Sequence, residues 1–368
     1  MFCKNSDLVF LQRDHYKLRL IRLVIYQKSN LQLLSISVVI PTCNRKERLL
    51  TVLENLDRQT YPLQEVIVVD SGEDRLLPGD YESFSKLNIQ YISSGKSVCI
   101  QRNLGVLAAS SPWIFLCDDD IEFPDNYLSI LADHIVNHND AGAVSGIWLQ
   151  KEGEQWISSY SLQSWKALLW KYIFLEGVWG EINMKSTGIV TGKIRSYYQQ
   201  KGNHITKAGW PVNTKFSGDY FICPVYSLGA SLVKREWLLQ SPYDEVLDRH
   251  GIGDNYGVIM GFPSSVIHVS NKVSVYHHRE PTNRLKNSLQ YYRRILALDY
   301  FIQTKRTPGY VKKGWLVWSL LGNLPGFVLA EQGMMIKATW KVIWKIIRGS
   351  NPYYKAAKRQ QKVVEPVL

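Results

Sequence analysis

Along the first 150 residues the apolar positions switch between two periods, and the switching predicts the architecture. The run at residues 36–40 is short and β-branched and is closed by Pro41, the pattern of a buried strand. Leu49, Leu50, Leu53 and Leu56 then recur at helical spacing, which predicts a helix reaching about Arg58 with Asn44 as its cap. A second apolar run at 65–69 ends in Asp70-Ser71-Gly72. Strand, helix and strand with short connections predict a parallel βαβ unit. The pattern continues with strands at 89–92, 113–117 and 143–147 and a helix near 101–109.

From about 150 to 227 the rhythm breaks, with many glycines and with Trp156, Trp165, Trp170, Trp179 and Trp210, so periodicity predicts little there. A strand or buried turn is expected at 228–233, a helix at 234–239 and a strand at 266–276; beyond Pro281 the chain turns helical and basic. No internal repeat or low-complexity tract interrupts it. An open parallel sheet binds ligands outside the carboxyl ends of its strands. Thr42, Asp70 and the triplet Asp118-Asp119-Asp120 each follow a predicted strand, so all should meet along one edge. Taken alone, the triplet fits a solvated turn, an acidic helix cap or a cation site.

The net charge of +12 over 368 residues is unevenly spread, and its distribution narrows the partners. Residues 1–34 carry six Lys and Arg against two acids, and 283–368 carry sixteen against three; the middle has twenty-two against twenty-seven. The basic ends lack any nucleic-acid motif but coincide with tryptophan-rich amphipathic stretches, which favours a membrane surface over nucleic acid. Five scattered cysteines without a CxxC pair argue against a zinc site or disulfide framework and suit a reducing compartment. Any metal should therefore take oxygen ligands. Lys17, Arg19 and Arg22 interrupt the N-terminal apolar residues, so no signal peptide is expected. The most apolar stretch, 314–330, is about the minimum length for a crossing and holds Asn323 and Pro325. It reads as an interfacial or re-entrant helix pair.

Four motifs then carry a resemblance: SVVIPTCNRKERL (37–49), EVIVVDSG (65–72), QRNLG (101–105) and FLCDDD (115–120). In this order and spacing they closely resemble the nucleotide-sugar-binding half of family 2 glycosyltransferases. The resemblance covers residues 36–279, more loosely after 150. It implies an α/β fold of the GT-A (Rossmann-like) type: a mixed, mainly parallel sheet flanked by helices, here with a C-terminal helical membrane-associating region. Three segments follow: a basic extension at 1–34, a catalytic domain at 35–282 (35–150 for the donor, 151–282 for the acceptor) and a basic amphipathic tail at 283–368.

The resemblance also implies roles. Asp118 and Asp120 match the family's DxD element, with Asp118 near the ribose, Asp120 on a divalent cation (Mn²⁺ or Mg²⁺) and Asp119 supporting them. Such a cation is a direct way to neutralise a departing diphosphate. Asp70 matches the carboxylate that binds the nucleobase, with Thr42, Asn44 and Arg45 lining the same pocket; Arg102 reaches base or phosphate, and Lys96 the diphosphate or only solvent. YSLGASLVKREWL (226–238) is similar to the segment under the donor sugar. In RHGIGDNYG (249–257), where the family usually has Glu-Asp, Asp254 is the candidate catalytic base, with Asp244, Glu245 and Asp248 as alternatives. His277 matches a histidine that completes the metal shell, ahead of His278; a structural role is the alternative for both.

In 335–348, Ile336, Trp340, Ile343, Trp344 and Ile347 share one helical face beside Lys337, Lys341, Lys345 and Arg348, a composition that lies in a membrane surface. Residues 16–26 add a second such stretch. The expectation is a metal-dependent, inverting glycosyltransferase using a nucleoside-diphosphate sugar and a glycan or lipid-linked glycan acceptor. It would sit peripherally on an anionic membrane surface, the inner face of the plasma membrane, and bind no nucleic acid. The alternatives are a sugar-1-phosphate nucleotidyltransferase, whose glycine-rich basic loop is missing from PTCNRKER, or a catalytically degenerate scaffold.

Overall fold

A computed structural model describes residues 33–160, 162–183, 188–264, 266–278 and 285–368, so the basic stretch at 16–26 lies outside the described residues. The first half alternates β1 (Ile36–Thr42), α1 (Lys46–Asp57), β2 (Glu65–Asp70), α2 (Pro78–Tyr81), β3 (Ile89–Ser93), α3 (Val98–Ala108) and β4 (Trp113–Cys117). Then come β5 (Ile121–Glu122), α4 (Tyr127–Asn137), β6 (Ala143–Glu152) and β7 (Gln155–Ile157). The region without sequence periodicity holds α5 (Trp165–Ile173), β8 (Val178–Trp179), α6 (Ile189–Lys201), β9 (His204–Ile205) and β10 (Pro211–Asn213). The second half adds β11 (Tyr220–Cys223), β12 (Ala230–Lys234), α7 (Arg235–Gln240), α8 (Asp254–Met260) and β13 (Ile267–His277). Helices α9 (Asn287–Thr304), α10 (Lys313–Leu329), α11 (Gly333–Ile347) and α12 (Pro352–Lys358) follow.

The main sheet runs β11-β13-β6-β12-β4-β1-β2-β3. Strand β1 is parallel to both β2 and β4 and is buried at every position, which is why its sequence is continuously β-branched rather than alternating. Its register pairs Thr42 with Asp70 and Val39 with Leu116, so three strands end at one edge, as the polar residues that follow them predict. Helix α1 buries Leu49, Val52, Leu53 and Leu56, each stabilising by roughly 1.5–3 kcal/mol relative to exposure. Helix α3 lies so close to the sheet that a Cβ at Gly105 would fall 2.3 Å from Val39 Cγ1.

Strand β12 is antiparallel between β4 and β6, with Ala230 opposite Cys117, so the turn before it returns to the edge where β4 ends. Strand β13, parallel to β6, also pairs with β5 and sets His277 opposite Ile121. These registers aim residues from both halves of the chain at one edge. The predicted strand at 143–147 is longer than its apolar run because β7 pairs with its far end. Within 150–227, β8, β10 and β9 form a separate small sheet, and Leu168, Val178, Ile194, Tyr198 and Val212 pack a satellite core against it.

The C-terminal helices share the core of the α/β unit: Tyr292, Ile295, Leu296 and Phe301 of α9 and Val342 and Ile346 of α11 belong to the main core. Two expectations change here. The 314–330 stretch is one helix with Pro325 inside it rather than a helix pair, and no described helix is long and apolar enough to cross a membrane. The face expected to gather Ile336, Trp340, Ile343, Trp344 and Ile347 is divided. Ile343 joins Ala338, Val342 and Ile346 in the buried stripe, because α11 packs on α9 and α10; Trp340 and Trp344 remain 53% and 55% exposed.

Candidate active site

The three aspartates after β4 point in different directions, and each meets a cation or proton donor of its own. Arg102 Nη2 pairs with Asp118 Oδ1 at 2.6 Å. Asp119 accepts from Arg45 Nη1 at 2.7 Å and from Thr42 Oγ1 at 2.8 Å. Asp120 faces Arg45 Nη1 at 3.4 Å and His277 Nε2 at 3.3 Å. Repulsion within the triplet is thus offset by two guanidinium groups from α3 and the loop after β1. Burial lifts the Asp119 carboxyl to about 6, opposed by Arg45 and reinforced by Asp120. Asp119 anchors Arg45 and the end of β1, a role the spacing alone does not reveal.

A cavity of about 470 Å³ opens over this edge, lined among others by Thr42, Asn44, Arg45, Lys96, Arg102, the aspartate triplet and His277. Asn44 does not cap α1, whose N-cap is Arg45; instead it takes φ 54° and its Oδ1 accepts from Glu73 N at 2.7 Å. That contact ties the loop after β1 to the loop after β2. Asp70 is not among the residues lining this cavity, although its neighbour Ser71 is. Asp70 is buried, with Oδ1 accepting from Gly72 N at 2.7 Å and Oδ2 from the Tyr91 hydroxyl. Lys96 is half exposed and reaches Glu73 at 3.4 Å. Gln101, to which the sequence reading gave no role, donates to Thr42 O at 2.6 Å and Val69 O at 2.7 Å, bracing two strand ends. Its signal was the helix position next to Arg102 in QRNLG.

Beyond Arg102 lies a second cavity of about 660 Å³, and Val98, Arg102, Asp118, His250 and His277 belong to both walls. Asp254, the first residue of α8, stands on this second wall and pairs with Arg102 Nη1. Burial raises its carboxyl to about 6, with Arg102 opposing the rise and the Asn255 amide donating to Oδ1 at 2.7 Å. Burial works against the Arg102 charge, but Asp118 and then Asp254 more than offset it and hold its pKa well above the usual arginine value. Trp148, Tyr160, Trp179, Trp210 and Tyr226, from the stretch without periodicity and its borders, line the rest. Of the alternative acids, Asp244 pairs with Lys305, Glu245 with Lys362, and Asp248 is fully buried.

The turn before β12 sits directly against Asp118: Gly229 O accepts from Asp118 N at 2.7 Å, and a Cβ on Gly229 would lie 2.0 Å from Asp118 Oδ2. Glycine is required there by close approach. No cluster of three or more His, Cys, Asp or Glu side chains poised for a metal occurs among the described residues. Asp120 and His277 nevertheless present a carboxylate oxygen and an imidazole nitrogen 3.3 Å apart at the first cavity. The carboxylate suits Mg²⁺ or Mn²⁺, which take one or two carboxylates and complete their shells with phosphate and water oxygens, while the imidazole is a softer ligand than these ions usually take. His278 turns away to Glu122, at 2.9 Å.

Residues 37–208 match the profile of Glycosyl transferase family 2. The uncharacterized glycosyltransferase YwdF of Bacillus subtilis is 33% identical over 140 residues, spanning 36% of this chain and 51% of that protein. Chondroitin synthase of Escherichia coli is 33% identical over 116 residues, 29% of this chain and 17% of that protein. The chain thus spans about half or less of the curated relatives it matches. Among solved structures, S. aureus TarS 1-349 in complex with UDP-GlcNAc has a TM-score of 0.49 at 13% identity, covering 89% of this chain and 93% of that one.

Proposed function

We propose that this chain, whose residues 37–208 match the profile of Glycosyl transferase family 2, is a metal-dependent, inverting glycosyltransferase whose catalytic base is Asp254. One observation carries the reading: Arg102 joins Asp118 on the donor wall to Asp254 on the acceptor wall, so the two cavities meet where transfer would occur. In this reading Thr42, Asn44, Arg45, Lys96, Arg102, Asp118 and Asp119 line the donor cradle for a nucleoside-diphosphate sugar, with Asp70 next to Ser71 of its wall. Asp120 and His277 would hold a divalent cation, which would neutralise charge on the diphosphate.

Asp254 accepts the proton of an acceptor hydroxyl as that oxygen bonds to the anomeric carbon. The bond from that carbon to the diphosphate oxygen breaks, and the diphosphate leaves with the electron pair. One displacement without an enzyme nucleophile inverts the anomeric centre. A base held near 6 is ionised at neutral pH and still competent to take a proton. The aromatic wall suits the apolar faces of sugar rings and supports a glycan or lipid-linked glycan acceptor. The exposed Trp340 and Trp344 beside Lys337, Lys341, Lys345 and Arg348 support peripheral attachment to an anionic membrane surface, the cytoplasmic face of a plasma membrane.

The test is a thermal-shift panel of nucleotides and nucleotide sugars with and without Mn²⁺ or Mg²⁺. The reading expects stabilisation by one nucleotide class that requires the cation and is lost in Asp120→Ala, because a ligand of the native state raises its stability. Stabilisation by none, or equal stabilisation without metal, overturns it.

A further inference from the structure

The loop that delivers Asp254 is fastened from outside the sheet, by residues far along the chain. Asp248 is fully buried; its Oδ1 accepts from His250 N at 3.0 Å and its Oδ2 from the Tyr353 hydroxyl of α12 at 3.1 Å. Arg293 of α9, also buried, reaches Asp248 at 3.4 Å and Glu365 Oε2 at 2.5 Å. Glu365 Oε1 in turn accepts from the Arg249 backbone N–H at 3.0 Å and faces the Arg249 guanidinium at 3.4 Å.

The segment bearing Glu365 is strapped along the same stretch. Val363 N donates to Glu245 O at 2.8 Å and Val364 N to Val246 O at 3.1 Å, while Pro366 O accepts from Arg293 Nε at 3.1 Å. Lys341 of α11 holds Val367 O at 3.0 Å. On the loop's other side, Arg249 O accepts from Val98 N at the start of α3, at 3.0 Å. Residues 248–254 therefore lie between α3, which carries Arg102, and a strap anchored on α9 and α11, with Tyr353 of α12 holding Asp248 of the loop directly. Arg249 and His250 also line the donor cavity.

We infer that Glu365 is a positioning residue: by bridging Arg293 and the Arg249 amide it fixes the 248–254 loop so that Asp254 meets Arg102. The C-terminal segment is then part of the catalytic apparatus and not only a peripheral appendage. This inference rests on the assignment of Asp254 as base. The chemistry at the loop is a carboxylate accepting one backbone N–H while its other oxygen neutralises a buried guanidinium. Removing it frees the amide and leaves Arg293 with Asp248 and the Pro366 carbonyl, so a shift of the base by a fraction of its own length follows, which is enough to slow transfer strongly.

The experiment uses the full chain and two substitutions, Glu365→Ala and Glu365→Gln, assayed well below their melting temperatures. Glutamine keeps an oxygen that can accept from Arg249 N–H; alanine does not. The expected result is a fall in kcat of at least about tenfold in Glu365→Ala, with nucleotide affinity within about threefold, and a substantial recovery in Glu365→Gln. Amide exchange should accelerate at Val98, Gly251 and Asp254 in the alanine variant and stay unchanged in β1 and β4. An unchanged kcat in Glu365→Ala, or exchange that rises uniformly over the chain, overturns the inference. Should the wild type release no nucleotide from any sugar donor, the functional reading fails on its own, and the exchange pattern alone decides whether Glu365 holds the loop.

Discussion

Replacing Arg102 with methionine removes the arginine that lines both cavities while keeping most of the apolar stem. Its side chain is only 8% exposed and pairs with Asp118 and Asp254, of which Asp254 is 9% exposed. Breaking a buried pair by deleting one partner costs about 3–5 kcal/mol, because a charge is left without compensation. The pH dependence makes the reasoning specific. In the wild type, burial holds Asp254 at about 6 against the opposing pull of Arg102; without Arg102 it must rise further. A raised carboxyl contributes stability that is complete below the unfolded pKa of about 3.9 and is lost as pH rises through the folded value. Below pH 6 both proteins lose stability in parallel. Above it the wild type levels off while Arg102→Met keeps losing about 1.4 kcal/mol per pH unit until its own folded pKa is passed. Urea unfolding of both proteins at pH 5, 6, 7 and 8 measures the gap. A gap that widens above pH 6 supports the shared-cation geometry; a gap independent of pH refutes it.

Two further predictions concern other parts of the molecule. Gly229→Ala drives a Cβ to 2.0 Å from Asp118 Oδ2, so it should cost about 1–3 kcal/mol by overpacking and weaken nucleotide binding at least about tenfold; calorimetric titration with the stabilising nucleotide checks it. His134, buried against His138 and bonded to His268 at 3.0 Å, is held down to about 4 by burial and by those histidines. A histidine depressed in the fold loses stability as pH falls from about 6.5 toward that value, so melting temperatures should drop in this window, and less steeply in His134→Gln.

The parts of this molecule that were legible in its sequence are those where local pattern and tertiary environment agree. The buried β1 and the amphipathic α1 announce themselves because each needs only its own neighbours to explain its composition. Asn44 misled because the same short side chain that caps helices also suits a positive φ and a cross-loop acceptor, and Glu73 lies twenty-nine residues on. Asp119 was opaque for a related reason: its role is set by Arg45 and Thr42, which only the β1–β4 register brings near. In 150–227 the helices α5 and α6 bury few side chains. Helix α5 buries only Leu168, and the stripe α6 buries is Thr191, Ile194 and Tyr198, in which Ile194 is the one aliphatic side chain, so little apolar periodicity shows in the sequence. Helix α11 shows the opposite failure, since an apolar stripe was visible but packing against α9 and α10 claimed one side of it and left the tryptophans outside. The Glu365 bridge joins residues 116 apart and has no sequence signature at all.

The central claim is that Asp254 activates the acceptor at the junction of the two cavities. The most direct test compares wild type with Asp254→Asn for nucleotide release from a panel of nucleotide sugars with Mg²⁺ or Mn²⁺, alongside nucleotide affinity. The account predicts about 10²–10⁴-fold slower release in the variant at unchanged nucleotide affinity, and a wild-type rate that falls as pH drops through about 6. Release at the wild-type rate from Asp254→Asn would contradict it.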